Sequence, residues 1–251
     1  MVLSVGTELT LFMPGLLEGN SFNERIAHPQ FIEQIRSGSY NEPLNAFLEA
    51  SRQAVRQVFS GRLSYASLPF EQVNWDGFDF AGVDLYRDAV NRDRFPQLMQ
   101  RYFTCGRPVV ITEFGCCTYR GAEDAGGSGW GIIDFGQVPP RPNGEYVRDE
   151  AAQARELTAL LGIFDEADVD GAFVHTFVSP LTPYSADPRY DFDMASYSLV
   201  RSYANRLGEL PASIPGFAEL PWEDGQPGSE YPDMPWEPKQ SFRAVAGFYR
   251  S

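Results

Sequence analysis

Two rhythms of apolar and polar positions alternate along the chain. Short runs rich in β-branched and aromatic residues give way to longer stretches with apolar side chains at three- and four-residue spacing. That alternation is the signature of βα units around a parallel sheet. Residues 2–9 (VLSVGTEL) predict a buried strand, and residues 43–59 a helix with Leu44, Phe47, Leu48, Val55 and Val58 on its apolar side, closed by Gly61. Residues 62–67 (RLSYAS) and 79–86 (DFAGVDLY) predict the second and third strands. Phe95, Leu98, Met99 and Tyr102 then mark a helix that Gly106 stops, and residues 108–114 (PVVITEF) follow as the fourth strand. The strongest helical pattern covers residues 148–167, with Ala154, Leu157, Leu160, Leu161 and Phe164 facing inward. Residues 171–178 (GAFVHTFV) predict a fifth strand, and residues 241–249 a closing helix preceded by WEPK as a turn.

The connections are as informative as the elements. After the fourth strand runs a loop of roughly thirty residues holding Gly126, Gly127, Gly129, Trp130, Pro139, Pro140 and Pro142, a length that points to function or disorder. After the fifth strand comes a second long, aromatic and acidic loop through Pro180, Pro183, Tyr184, Tyr190, Asp191 and Asp193. The Pro-rich stretch 211–238 reads as surface wrapping, because the segment after it is too short to be a domain. The expectation is one α/β domain over residues 1–251. Five strands are too few to close a barrel and would leave unpaired edges, so upstream sequence or a partner is expected to cover the gap.

Composition narrows the function. At 251 residues the chain can bury a substantial core, and 43% hydrophobic and 14% aromatic content are globular values. With 20 cations against 34 carboxylates and a formal charge of −14, a nucleic-acid partner is not expected. Cys105, Cys116, Cys117, His28 and His175 form no zinc-ligand spacing, so no metal is expected, and the odd cysteine count argues against a disulfide framework. With Met1 as the start there is no export signal or membrane-spanning run, and the expected location is the cytoplasm.

In parallel α/β barrels the active groups project from the C-terminal ends of strands, where this sequence places Glu8, Tyr65, Tyr86, Glu113 and His175. Two such carboxylates can share a glycosidic bond: one protonates the leaving oxygen, while the other attacks the sugar or activates water. Glu8 and Glu113 are that pair. Glu113 closes an almost wholly apolar strand, a costly place for a spare charge. The competing readings are a Glu113 bonded to a local arginine such as Arg87 or Arg120, and a Glu8 merely solvated near the chain terminus.

The strand-end segments GTEL, GVDLY and ITEFG resemble those of clan A glycoside hydrolases, particularly the β-mannanase-like families. The resemblance implies a (β/α)8 TIM barrel of which strands four to eight are present, with Glu8 as acid/base and Glu113 as nucleophile. It also implies that Tyr86 donates a hydrogen bond to the nucleophile, against the plainer reading of a tyrosine at the barrel rim. It runs from Val2 to about Val178, and the WEPKQSFRA ending is also familiar. This chain departs from the clan at Thr7, where many members carry an asparagine that binds the sugar 2-hydroxyl. It departs again at His175, which replaces a frequent tryptophan, and in lacking strands one to three with their supporting arginine.

Other residues carry weaker expectations. Tyr65 and Trp75 offer aromatic faces for sugar stacking, with core packing expected for at least one of them. His175 either contacts a hydroxyl or is a satisfied rim histidine. Asp191 and Asp193 either bind substrate or a cation or are solvated, and Cys116–Cys117 are expected to be buried free thiols rather than a redox switch. The segment CCTYRGAEDAGGSGW is also similar to bacterial proteins labelled abortive phage infection proteins. Taken together, the sequence predicts a retaining glycoside hydrolase acting on a β-linked neutral glycan, with no cofactor. The alternative is a non-catalytic barrel that binds carbohydrate or a protein partner. Both leave room for an oligomer or a missing N-terminal half.

Overall fold

The computed structural model describes residues 1–203, 214–218, 220 and 231–250. Much of the Pro-rich stretch expected to wrap the surface, residues 211–213, 219 and 221–230, lies outside the described residues. The chain gathers into two compact units. The first comprises Met1–Leu85, Pro96–Glu113 and Val169–Ala172; the second comprises Tyr86–Phe95, Phe114–Asp168 and Phe173–Ser251.

The first unit is built on β1 (Val2–Thr7), the short helices α1 (Leu9–Phe12), α2 (Phe22–Ile26) and α3 (Phe31–Ser37), and the longer α4 (Asn41–Arg56). Then come β2 (Arg62–Ser67), β3 (Ala81–Asp84), α5 (Phe95–Gln100) and β4 (Val109–Phe114). The strands join in the order β1, β2, β3, β4 and finally β7 (Gly171–Val174), with parallel pairing along the first four. The α/β reading therefore holds as a five-stranded, parallel-paired sheet. Alternation of short apolar runs with helical stretches dictates this, because parallel neighbours need a crossover between them.

The core of this unit joins Leu44 and Leu48 of α4 to Leu63 and Tyr65 of β2, Ala81 of β3, and Leu11, Leu16 and Leu17 from the segment after β1. Two residues assigned to the apolar side of α4 fall outside it: Phe47 and Val58 are exposed, Val58 because the helix ends at Arg56. Gly82 is required where it stands, since a Cβ there would collide with the Tyr65 carbonyl of the neighbouring strand. Gly106, with φ of 70°, ends the turn after α5 in the left-handed region, as its position predicted.

The second unit contains α6 (Ala122–Ala125), the two-residue strands β5 (Ile133–Asp134) and β6 (Arg141–Pro142), and α7 (Glu150–Glu166). After β7 come β8 (Val200–Ser202), β9 (Trp236–Pro238) and α8 (Gln240–Phe248). Asp149 caps α7 by accepting the Ala152 amide at 2.8 Å, which explains the crisp start of that helix. Its buried face carries Leu157, Leu160, Leu161 and Phe164, with the Phe164 ring edge-on to Phe114 at 4.9 Å. Ala154 lies at the margin rather than inward.

Two expectations about this unit need correction. WEPK is not a turn: Trp236–Pro238 pairs antiparallel with Val200–Ser202, and the Lys239 amide donates to the Leu199 carbonyl. The thirty-residue loop is not structureless either, because it folds into α6, a 3-10 segment at Gly126–Ile132 and the β5–β6 pair. Among the described residues no helix is long and apolar enough to cross a membrane.

Candidate active site

The candidate site lies within the first unit, where β1, β3 and β4 end. β1 stops at Thr7 because Glu8 leaves the extended conformation for the left-handed region, with φ 46° and ψ 38°. For a residue with a side chain this costs about 1–2 kcal/mol, and such strain collects at functional positions. The surroundings hold it there. The Glu8 amide donates to the Ala66 carbonyl at 2.9 Å, and the Glu8 carbonyl accepts from Leu11 at 2.9 Å to open α1.

Glu113 stands opposite Asp84 in the β3–β4 pairing. One carboxylate oxygen from each of Glu8, Asp84 and Glu113 lies within 4.8 Å of the others. The two expected carboxylates are thus brought together, and a third joins them that the strand pattern did not single out. Asp84 is only 1% exposed. It accepts the Thr7 hydroxyl at 2.9 Å and the Thr112 hydroxyl at 2.6 Å. Thr7, which stands where many members of the resembled clan carry a sugar-binding asparagine and was a candidate substrate contact on that ground, gives its hydroxyl proton to Asp84.

The electrostatics of the group follow from burial and like charge. Desolvation, then the charges of Asp84, Glu113 and Glu71, push Glu8 up to about 8. Asp84 rises to about 7, chiefly through burial, with the Thr112 and Thr7 hydroxyls acting in the opposite sense and Glu113 and Glu71 adding repulsion. Such a trio keeps a proton at neutral pH, as a general acid requires. The same three oxygens could also coordinate a divalent cation, since hard ions take carboxylate ligands.

Tyr65 and Trp75 do not offer open faces for stacking. Tyr65 is 0% exposed and Trp75 is 8% exposed, packed edge-on to Phe78 at 5.9 Å, so both rings belong to the core. The Tyr65 hydroxyl instead links two parts of the chain, accepting the Leu9 amide at 2.8 Å and donating to Glu71 Oε2 at 2.9 Å. Glu71 is buried and also accepts the Leu68 amide at 2.9 Å and the Thr10 amide at 3.1 Å. Burial raises its pKa, while these donors pull it back.

Asp84 and Glu71 were missed by sequence reasoning. For Asp84 a signal existed: a lone carboxylate inside the apolar run DFAGVDLY is as costly as Glu113 in PVVITEF. Glu71 lies in an ordinary-looking loop and carries no such mark.

The remaining expected residues belong to the second unit. The Tyr86 ring lies 5.3 Å from Tyr197, and the Tyr86 carbonyl accepts the Asn91 side chain. The His175 ring lies 5.9 Å from the same Tyr197, and its amide donates to the Phe114 carbonyl at 2.8 Å. Arg87, one of the arginines considered for Glu113, forms a bidentate pair with Glu156 at 2.6 and 2.7 Å.

Asp191 and Asp193 are not solvated, as acidic loop residues usually are. Both are buried, ion-paired to Arg148 at 3.0 and 2.7 Å, and Asp193 also meets Lys239 at 3.1 Å. Cys116 and Cys117 are buried free thiols that burial pushes above the ordinary range, so neither is poised as a thiolate.

No family model matches the chain, and no curated protein matches it. Among solved structures it is similar to the GH113 β-mannanase AaManA from Alicyclobacillus acidocaldarius in complex with ManMIm. The identity is 20%, the alignment covers 53% of this chain and 40% of that one, and the TM-score is 0.41. It is also similar to a GH113 β-1,4-mannanase solved as a complex, at 14% identity over 88% of this chain and 54% of that one, with a TM-score of 0.47. The chain therefore spans about half the length of these structures. Neither is an abortive infection protein, and nothing in the comparisons supports that resemblance. At such scores the likeness does not bear on which residues act, and the site stands on its own geometry.

Proposed function

We propose that the chain carries the acid/base and nucleophile of a retaining glycoside hydrolase acting on a β-linked neutral glycan. The observation that carries this is the close approach of Glu8 and Glu113, with oxygens no more than 4.8 Å apart. Retaining enzymes hold their carboxyls about 5–5.5 Å apart, against roughly 6.5–9.5 Å in inverting ones. The raised pKa of Glu8 supplies the proton the leaving group needs.

In this reading the Glu113 carboxylate attacks the anomeric carbon as the glycosidic C–O bond breaks, and Glu8 gives its proton to the departing oxygen. Glu8, now a carboxylate, takes a proton from water. That water attacks the anomeric carbon and releases Glu113. Asp84 makes the transfer possible by disfavouring a second negative charge beside it. The parallel sheet then stands as strands four to eight of a (β/α)8 barrel, with the reacting groups at the strand ends where barrels place them.

The test is a panel of β-1,4-linked manno-, gluco- and xylo-oligosaccharides followed by proton NMR. The expected result is product released first as the β-anomer, with Glu113→Gln inactive and still folded. Release of the α-anomer, or turnover unchanged in Glu113→Gln, would overturn the reading. Binding of a glycan without any cleavage would favour a non-catalytic carbohydrate binder instead.

A further inference from the structure

We propose that Glu71 and Tyr65 form a clamp that fixes the turn carrying Glu8, making them positioning residues for the acid/base. The inference rests on the reading of Glu8 as that group, but its geometry stands apart from any substrate. Glu8 sits in a left-handed conformation at the junction of β1 and α1. The two amides that follow it are both held by side chains from the region of β2: Leu9 by the Tyr65 hydroxyl, Thr10 by Glu71 Oε1. A helix as short as α1 leaves its first amides without intrahelical partners, so these bonds supply what the helix lacks.

The clamp is closed on itself. The Tyr65 hydroxyl that accepts from Leu9 donates its own proton to Glu71 Oε2, which also receives the Leu68 amide. Each bond has a fixed direction, and both side chains are buried, so neither can rotate to an alternative partner in water. Glu71 accepts all three donors with its two carboxyl oxygens, Thr10 at Oε1 and Tyr65 and Leu68 at Oε2. A glutamine would turn its amide nitrogen toward one of the N–H or O–H groups and break one arm.

The consequence reaches the Glu8 carboxyl through its backbone. A turn released from the clamp relaxes toward the ordinary right-handed or extended regions and swings Glu8 away from its partners. Those partners are Asp84 of β3, Glu113 of β4 and Glu71 of the clamp itself, the groups whose charges bear on it. Glu8 would then titrate closer to an ordinary glutamate.

The experiment compares wild type with Tyr65→Phe, which keeps the buried ring and removes the hydroxyl, and with Glu71→Gln. Two substrates of one sugar are used: an unactivated β-1,4-linked oligosaccharide and a 2,4-dinitrophenyl β-glycoside, whose leaving group departs without a proton. On the unactivated substrate kcat/KM is expected to fall roughly 10- to 100-fold, a sizeable part of what general acid catalysis contributes. On the dinitrophenyl glycoside it should change less than about 3-fold, since the nucleophile is untouched. An equal loss on both substrates would mean a general structural defect and would overturn the clamp.

Carbon-13 NMR titration of the glutamate carboxyls, with Glu8→Gln to assign the resonance, reads the same effect without turnover. The Glu8 midpoint is expected near 8 in wild type and lower in Tyr65→Phe; an unmoved midpoint contradicts the proposal. If wild type cleaves neither substrate while Tyr65→Phe still shifts the Glu8 midpoint, the hydrolase reading fails and the clamp survives.

Discussion

The two units bury carboxylates in opposite ways. In the second, Asp191 and Asp193 are neutralised by cations: Arg148 reaches both of them and Glu150, and Lys239, the chain's one lysine and 0% exposed, donates to Asp193 and to the Thr118 hydroxyl. In the first, Asp84 is held by two hydroxyls, and Glu71 by two amides and a phenol. Neutral donors compensate desolvation less than a cation does: burial pushes Asp84 up to about 7, against about 6 for Asp191 beside Arg148. One region uses its buried charge to hold loops together; the other keeps a titratable proton where chemistry would use it.

The contrast can be broken deliberately, and the largest effect is expected on catalysis. Glu8→Gln should lower kcat/KM on an unactivated glycan by roughly 10²–10⁴-fold, the usual contribution of a positioned acid. A loss of less than about 10-fold, measured by initial rates, would remove Glu8 from the mechanism.

The next effect is on stability in the second unit. Lys239→Met removes one partner of a buried pair and should cost about 3–5 kcal/mol in urea unfolding, since Asp193 is then left with Arg148 as its cationic partner among the described residues. A cost below about 1 kcal/mol would place the pair among the weak surface bridges instead.

The first unit should show the reverse behaviour. The folded pKa of Asp84 is raised, so its contribution to stability is full below the unfolded value of 3.8 and is lost as pH rises toward about 7. Asp84→Asn, which cannot ionise, should therefore gain thermal stability relative to wild type between about pH 4 and 7, with the gain level above that. A gain that does not change with pH in differential scanning calorimetry would contradict the sign. By the same logic the alkaline limb of activity should fall with a midpoint near 8, where Glu8 loses its proton.

The smallest effect expected is that of a chelator. Although the three carboxylate oxygens could hold an ion, the proposed chemistry uses none, and dialysis against EDTA should leave turnover unchanged. Loss of activity restored by magnesium or calcium would reassign the cluster to cation binding.

Much of this was legible beforehand, for identifiable reasons. β2 ran over the predicted residues 62–67, and the remaining sheet strands fell within their predicted segments, because apolar runs between turn signals are a strong local pattern. Glu8 and Glu113 were legible as a candidate pair because each closes a predicted strand, with a solvated Glu8 and an arginine-bonded Glu113 as the competing readings. The three-residue strands β8 and β9 were not, since they exist only by pairing with each other across sequence-distant segments. Nor were the roles of Glu71, Asp193 and Lys239, each of which has a partner far off in the sequence: Thr10 for Glu71, Arg148 for Asp193 and Thr118 for Lys239. Tyr65 was noticed for its ring, while its hydroxyl carries the contact that matters at the site.

The central claim is that Glu113 attacks the sugar, and a 2-deoxy-2-fluoro glycosyl fluoride tests it most directly by trapping the covalent intermediate. Peptide mass spectrometry is expected to find the fluorosugar on Glu113, with no labelling in Glu113→Gln. Label on another carboxylate such as Asp84, or hydrolysis of a glycan by a protein that never becomes labelled, would contradict the account.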